Sequence, residues 1–172
     1  GDVRFRAADG TRLVGHRFGR GRVAVVLAHE SRGWLCEWVP YAKQLAARGY
    51  TAFPFDFRGY GDSQSNSPSG VRIDLDVAAA VKTVRALGAK KVFLVGASMG
   101  GSAVVRAAAD VKPAVNGVVS VSGSADLVDA LAAAKRLRVP SLYLAGRYDV
   151  VFAADARRLY AATASQDKTL AI

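Results

Sequence analysis

Lys91-Val92-Phe93-Leu94-Val95-Gly96-Ala97-Ser98-Met99-Gly100-Gly101 is the stretch that decides the fold. It opens as an apolar strand and passes through Gly-x-Ser-x-Gly. It then runs into the small, Ala-rich stretch from Ser98 to Asp110, which suits a helix packed tightly on that strand. A serine at the apex of so sharp a strand-to-helix turn has a strained backbone, so the residues two before and two after it must lack bulk. Gly96 and Gly100 meet that demand, and Gly101 lets the helix lie close to the sheet. The turn lifts the Ser98 hydroxyl above the sheet edge. It also aims the Met99 N–H and the positive helix end at any oxyanion forming there.

Outward from this turn, short apolar runs alternate with helical periodicity, the pattern of a mostly parallel sheet wrapped by helices. Towards the N-terminus, Asp9-Gly10 predicts a hairpin between Val3–Ala7 and Arg12–Phe18. Val23–Ala28 and Thr51–Phe57 read as strands, with a helix through Trp38, Ala42 and Leu45 that ends at Gly49. A polar loop spans residues 58–70. Ile73, Val77, Val81, Val84 and Leu87 then mark one face of a helix closed by Gly88. Towards the C-terminus, Gly117–Ser122, Pro140–Ala145 and Lys168–Ile172 read as strands, and Asp126–Leu137 and Phe152–Ala162 as helices.

The 172 residues predict one domain with enough core to need no staple. The single cysteine, Cys36, excludes an internal disulfide and reads as a small packing residue. His16 and His29 are the only histidines and lack metal-ligand spacing, so no metal is expected. No apolar run approaches the length of a membrane span. The start, Gly1-Asp2-Val3, shows no apolar signal core and no Met, which predicts a processed or trimmed N-terminus. The net charge is +10, and six arginines fall between Arg4 and Arg22. The charges are otherwise scattered, with no basic helix, so nucleic-acid binding is not expected.

With the elbow in place, nearly the whole chain resembles the α/β-hydrolase family. Three further stretches carry the likeness. The first is Leu27-Ala28-His29-Glu30-Ser31-Arg32-Gly33, where most members have His-Gly; its His-Glu is similar to the dienelactone-hydrolase branch. The resemblance implies that the Ser31 N–H is the second oxyanion donor, and it sets Glu30 near the nucleophile. That branch usually has a Cys nucleophile, so its substrate does not carry over to Ser98.

The second stretch, Phe55-Asp56-Phe57-Arg58-Gly59-Tyr60-Gly61-Asp62-Ser63, resembles a family loop of structural role. The likeness therefore makes Asp56, Arg58 and Asp62 non-catalytic, with Asp74 a further structural acid. In the third, ending Gly146-Arg147-Tyr148-Asp149, the family keeps its triad carboxylate. Asp149 is the choice, to orient and stabilise an imidazole. Asp126 is the alternative and Asp155 a weaker one.

The family order is Ser, acid, His, yet no His follows Asp149. His16 lies in the hairpin and His29 in the oxyanion motif, where the family residue is structural. The expectation is that the chain stops early, with the catalytic His and a closing helix beyond Ile172. The rival is a domain without a base. Stopping on an apolar strand would leave one sheet face and a strand edge uncovered.

The fold expected is therefore a three-layer α/β-hydrolase sandwich with a mostly parallel sheet and no cap domain, since Gly123 to Val139 has room for one helix only. The function expected is a serine hydrolase of small carboxylic esters, thioesters or lactones, without cofactor. Trp34 is a candidate wall of the acyl pocket. The alternative is a non-catalytic binding protein of the same fold.

Overall fold

The computed structural model describes residues 1–66 and 69–172. Of the expected polar loop, Ser67 and Pro68 lie outside the described residues. Eight strands form one sheet: β1 (Asp2–Arg6), β2 (Arg12–His16), β3 (Val23–Ala28), β4 (Thr51–Asp56), β5 (Lys91–Ala97), β6 (Gly117–Val121), β7 (Ser141–Leu144) and β8 (Lys168–Ala171). Their spatial order is β1-β2-β4-β3-β5-β6-β7-β8. β1 and β2 form an antiparallel hairpin, β2 runs antiparallel to β4, and every other pairing is parallel. This is the α/β-hydrolase fold.

The helices are α1 (Val39–Ala47), α2 (Ile73–Ala86), α3 (Met99–Asp110), α4 (Ala130–Ala134) and α5 (Val150–Ala162). The apolar stripe of α2, through Val77, Val81 and Val84, packs with α3, α5 and the side chains Val92, Leu94, Val118 and Tyr143 of one sheet face. On the opposite face α1 sets Ala42 and Leu45 against Val25, Leu27 and Ala52. β3, which α1 thus covers from the other side, reads as the continuous apolar run that burial on both faces imposes. Beyond α1, that face carries no helix over β5–β8 among the described residues. Phe93 is 36% exposed, and Val119 and Leu142 are only half-buried. These three side chains line a shallow concavity of about 420 Å³.

One expected element departs from its reading. The helix expected over 126–137 is a 3-10 turn, Leu127–Asp129, in which Val128 and Asp129 take positive φ, followed by the five-residue α4. Two anchors pull against a single axis. The Asp155 carboxylate holds the Ala125 N–H at 3.1 Å, and Arg158 grips Asp126, tying the start of the segment to α5. Ala130, Ala133 and Ala134 are meanwhile fully buried. Among the described residues, no helix is long and apolar enough to cross a membrane.

Candidate active site at the strand-to-helix elbow

At the end of β5 the backbone of Ser98 takes φ 49° and ψ −115°. For a residue with a Cβ such a conformation costs on the order of 1–3 kcal/mol, and it persists only where the surroundings enforce it. Here the Ser98 N–H donates to the Val121 carbonyl of β6 at 2.8 Å, and the Ser98 carbonyl accepts from the Ser102 N–H in the first turn of α3 at 3.2 Å. The two outer glycines make the turn sterically possible. A Cβ on Gly96 would strike the Gly100 carbonyl, and one on Gly100 would strike the Ala28 carbonyl at the end of β3. A Cβ on Gly101 would sit 2.9 Å from Ser120 Oγ and 3.0 Å from Gly123 Cα, which shows how closely α3 approaches β6.

Gly100 thus seats the elbow directly against the loop that follows β3. Ser31 is exposed on that loop, and Met99 opens α3. Neither backbone N–H has an acceptor among the described residues. The Ser98 hydroxyl is half-buried and likewise has no hydrogen-bond partner among them.

His29 is fully buried and ties two loops together. Its Nε2 accepts the Phe57 N–H at 3.1 Å, so Nδ1 carries the proton and donates to the Glu30 carbonyl at 2.7 Å. Phe57 and Tyr60 pack edge-on to the ring, each at 5.0 Å. Burial pushes its pKa down, outweighing the Glu30 carbonyl and nearby carboxylates. A group that is neutral when folded and takes up a proton when unfolded costs stability as pH falls through its unfolded value of about 6.5. We expect nitrogen-edited NMR to find His29 still neutral and Nδ1-protonated near about pH 6. A signal of doubly protonated imidazole from His29 there would refute this tautomer. His16 is also occupied: its Nδ1 lies 2.9 Å from Asp2 Oδ1 on the hairpin.

The loop after β4 is rigidly built. The Asp56 carboxylate accepts the Leu35 N–H at 2.8 Å and the Asp62 N–H at 3.2 Å, while Ser63 Oγ donates to the Asp56 carbonyl and accepts the Val14 N–H. The buried Arg58 guanidinium lies between Asp76, at 2.7 Å from Nη2, and Asp9, at 2.8 Å from Nη1. Sequence reading missed both partners. Asp74, expected to be a further structural acid, is buried and pairs with the half-exposed Arg72. This scaffold carries Tyr60, whose hydroxyl donates to Met99 Sδ at 3.7 Å. A cavity of about 430 Å³ opens beside the elbow, walled in part by Tyr60, Val71, Ile73 and Met99. The signal for its far wall was Val71, an apolar residue at the end of a polar loop.

Trp34 is 51% exposed and lines a different cavity of about 370 Å³, together with His16, Cys36 and Asp62 and no elbow residue. Cys36 is exposed, not a packing residue. It sits in the 3-10 turn Leu35–Trp38, where Leu35 is buried and Trp38 packs in part against the core.

The three candidate acids separate by their partners. Arg158 grips both oxygens of Asp126, at 3.1 and 2.8 Å, and holds its carboxyl below the ordinary range. Asp155 accepts from the Ala125 N–H and from Arg158. Asp149 stands exposed at the N-cap of α5, and its side chain neither caps the helix nor meets a cation among the described residues. Among those residues, no three His, Cys, Asp or Glu side chains gather closely enough to hold a metal ion.

The family model described as the alpha/beta hydrolase family matches residues 25–171. The chain belongs to that family. Similar curated proteins include a 2-hydroxy-6-oxononadienedioate/2-hydroxy-6-oxononatrienedioate hydrolase of Burkholderia vietnamiensis, 32% identical over 120 residues that are 67% of this chain and 42% of that protein. The uncharacterised protein YfhR of Escherichia coli is 30% identical over 58% of this chain and 38% of its own. This hydrolase-family chain thus spans about two-fifths of the length of the curated relatives it matches. Among solved structures, the Pyrococcus furiosus esterase Pf2001 superposes with a TM-score of 0.87 at 19% identity, over 99% of this chain and 80% of that one. The enol-lactonase of Burkholderia xenovorans superposes with a TM-score of 0.79 at 18% identity, over 96% and 89%. At such identities the likeness is one of fold.

Proposed function

We propose that this chain carries the nucleophile, oxyanion donors and acid of a serine hydrolase acting on small carboxylic esters, thioesters or lactones. The observation that carries the reading is the strained Ser98, held at a strand-to-helix junction with its hydroxyl unbonded among the described residues. Strain of this kind is kept where a site uses it. The esterase and enol-lactonase among its structural neighbours agree with the class.

In the proposed reaction Ser98 Oγ attacks the carbonyl carbon, and an imidazole takes its proton. The Met99 and Ser31 N–H groups hold the resulting oxyanion. The bond to the leaving oxygen or sulfur then breaks, and the imidazolium proton passes to that group. Water attacks the acyl carbon, gives a proton to the imidazole, and Ser98 Oγ recovers it as the acid product leaves. Asp149 orients the imidazole. Both histidines of these residues are engaged elsewhere, His29 in two backbone hydrogen bonds and His16 with Asp2. The imidazole of this scheme is therefore neither His16 nor His29. The cavity beside Met99 takes the acyl group or the leaving group, and Trp34 is kept as a candidate contact for a larger substrate.

The engagement of both His16 and His29 among the described residues also favours a second reading, a binding protein that retains the pocket without turnover. The two are separated by treating the gene's full product with a fluorophosphonate probe. We expect labelling at Ser98 that Ser98→Ala abolishes. Labelling that survives the substitution overturns the serine assignment. Ester binding with no labelling supports the binding protein.

A further inference from the structure

The outer face of the N-terminal hairpin carries a charge arrangement that the elbow chemistry does not use. Residues paired across β1 and β2 share a face, and the pairs alternate sides. Val3 with Gly15 and Phe5 with Leu13 face inward, where Phe5 packs against Phe53. Arg6 with Arg12, Arg4 with Val14, and Asp2 with His16 face outward. Two arginines are therefore direct cross-strand partners, with a third diagonal to them. Like charges placed opposite one another on a sheet destabilise it.

The acids nearby do not relieve this. Asp2 is committed to His16, and Asp9 to Arg58. Among the described residues none of the three arginines makes an ion pair; Arg6 Nη1 donates only to the Gly10 carbonyl, at 3.0 Å. The three line a concavity of about 380 Å³ with Gln64 and a single carboxylate, Asp62. Its floor is stiff. The Arg12 N–H donates to Gln64 Oε1 at 3.1 Å, and the Arg12 carbonyl accepts the Gln64 N–H at 2.9 Å.

We propose that this concavity is a binding site for a phosphate group. Three guanidiniums against one carboxylate leave an excess of two positive charges, which matches a phosphate dianion better than a carboxylate. Guanidinium forks also bind phosphate oxygens in pairs, so three of them can engage its terminal oxygens. The site is separate from the elbow. β2 and β1 lie three and four strands from β5, about 15–20 Å at the usual strand spacing, so one small molecule does not reach both. The phosphate comes either as a free anion or on a small organic monoester, whose organic part would lie along the apolar strip at Val14.

Isothermal titration of the protein with inorganic phosphate, pyrophosphate and phenyl phosphate tests the site, with acetate as control. We expect saturable phosphate binding and none with acetate. Arg4→Gln and Arg12→Gln should each weaken binding at least about fivefold, and the pair together should abolish it, while Arg20→Gln in the exposed loop after β2 leaves it unchanged. All three side chains are exposed and their like-charge repulsion is relieved by the substitution, so the variants should melt at or slightly above the wild-type temperature. Tighter binding of phenyl phosphate identifies a monoester site, and equal binding a free-anion site. Two outcomes overturn the proposal: no heat with any phosphate, or unchanged affinity in the double variant.

Discussion

Asp149→Asn is expected to lower the turnover of the gene's full product on a short-chain nitrophenyl ester by about 10⁴-fold, because an amide in place of the proposed triad carboxylate would leave the imidazole in the wrong tautomer. The expectation rests on the contrast among the three acids on this side of the sheet. Asp126 spends both oxygens on Arg158, and Asp155 spends its own on Arg158 and on the Ala125 N–H. Aspartate at an N-cap ordinarily accepts an N–H of the helix it begins. Asp149 sits at the N-cap of α5 and does not. Its carboxylate is therefore left facing out at the C-terminal end of β7, on the edge of the sheet where Ser98 stands. Because Asp149 is exposed and holds nothing else in place, the variant should melt near the wild-type temperature. The activity loss then cannot be laid to unfolding. Asp126→Asn supplies the opposite signature, with turnover kept and the tie between α5 and the segment before α4 loosened. Should Asp126→Asn be the damaging change and Asp149→Asn mild, the triad acid follows β6 and the assignment to Asp149 fails.

What could be read in advance follows from how far each constraint reaches along the chain. The signal of the elbow is local. Gly96 is demanded by the Gly100 carbonyl four residues on. Although Gly100 and Gly101 are demanded by Ala28 and Ser120 far along the chain, the spacing of glycines about Ser98 alone located the turn, and β5 and α3 followed at the expected places. The α2 stripe was legible for the same reason, as a period of 3.6 imposed by one buried face. The partner of Arg58 was not. Asp76 is 18 residues away and only two past Asp74, yet two residues turn a helix by about 200°, which carries one carboxylate inward to Arg58 and leaves the other at the rim with Arg72. The break before α4 was also hidden, because it comes from Asp155 and Arg158 on α5 and not from any residue in the segment. Cys36 was misread since periodicity cannot distinguish a 3-10 turn from the first turn of α1. Trp34 was read as a candidate wall of the acyl pocket from its position in the chain. The structure sets it on a cavity bounded by the hairpin instead.

The buried Arg58 ion pair predicts the largest stability effect in the molecule. Asp76→Ala should cost about 3–5 kcal/mol in urea unfolding, the usual result of removing one partner of a buried pair. The Asp76 side chain is fully buried and that of Arg58 is 4% exposed. Asp76 accepts the Arg58 backbone N–H at 3.0 Å, Nε at 3.0 and 3.1 Å, and Nη2 at 2.7 Å. Removing it strands a guanidinium and a backbone donor together, and Asp9 alone cannot satisfy both. Arg136→Ala is the comparison. Its pair with Asp110 is about half-exposed on both sides, and surface pairs are worth about 0–1 kcal/mol. Acid should act on this network through Asp9, since burial pushes the Asp76 carboxyl up, in the opposite direction. Burial works against the Asp9 charge, but hydrogen bonds from Thr11 and Arg58 outweigh it and hold the carboxyl well below the ordinary range. A carboxyl depressed in the folded state stabilises above its unfolded value of about 3.9, and that stability is lost as pH falls further. The loss should extend to the candidate site, because Arg58 fixes the loop that sets Tyr60 on Met99. Fluorophosphonate labelling of Ser98 should therefore slow in Asp76→Ala even at temperatures where the variant is folded. If Asp76→Ala costs no more than Arg136→Ala, or labels at the wild-type rate, the ion pair does not hold the loop against the elbow.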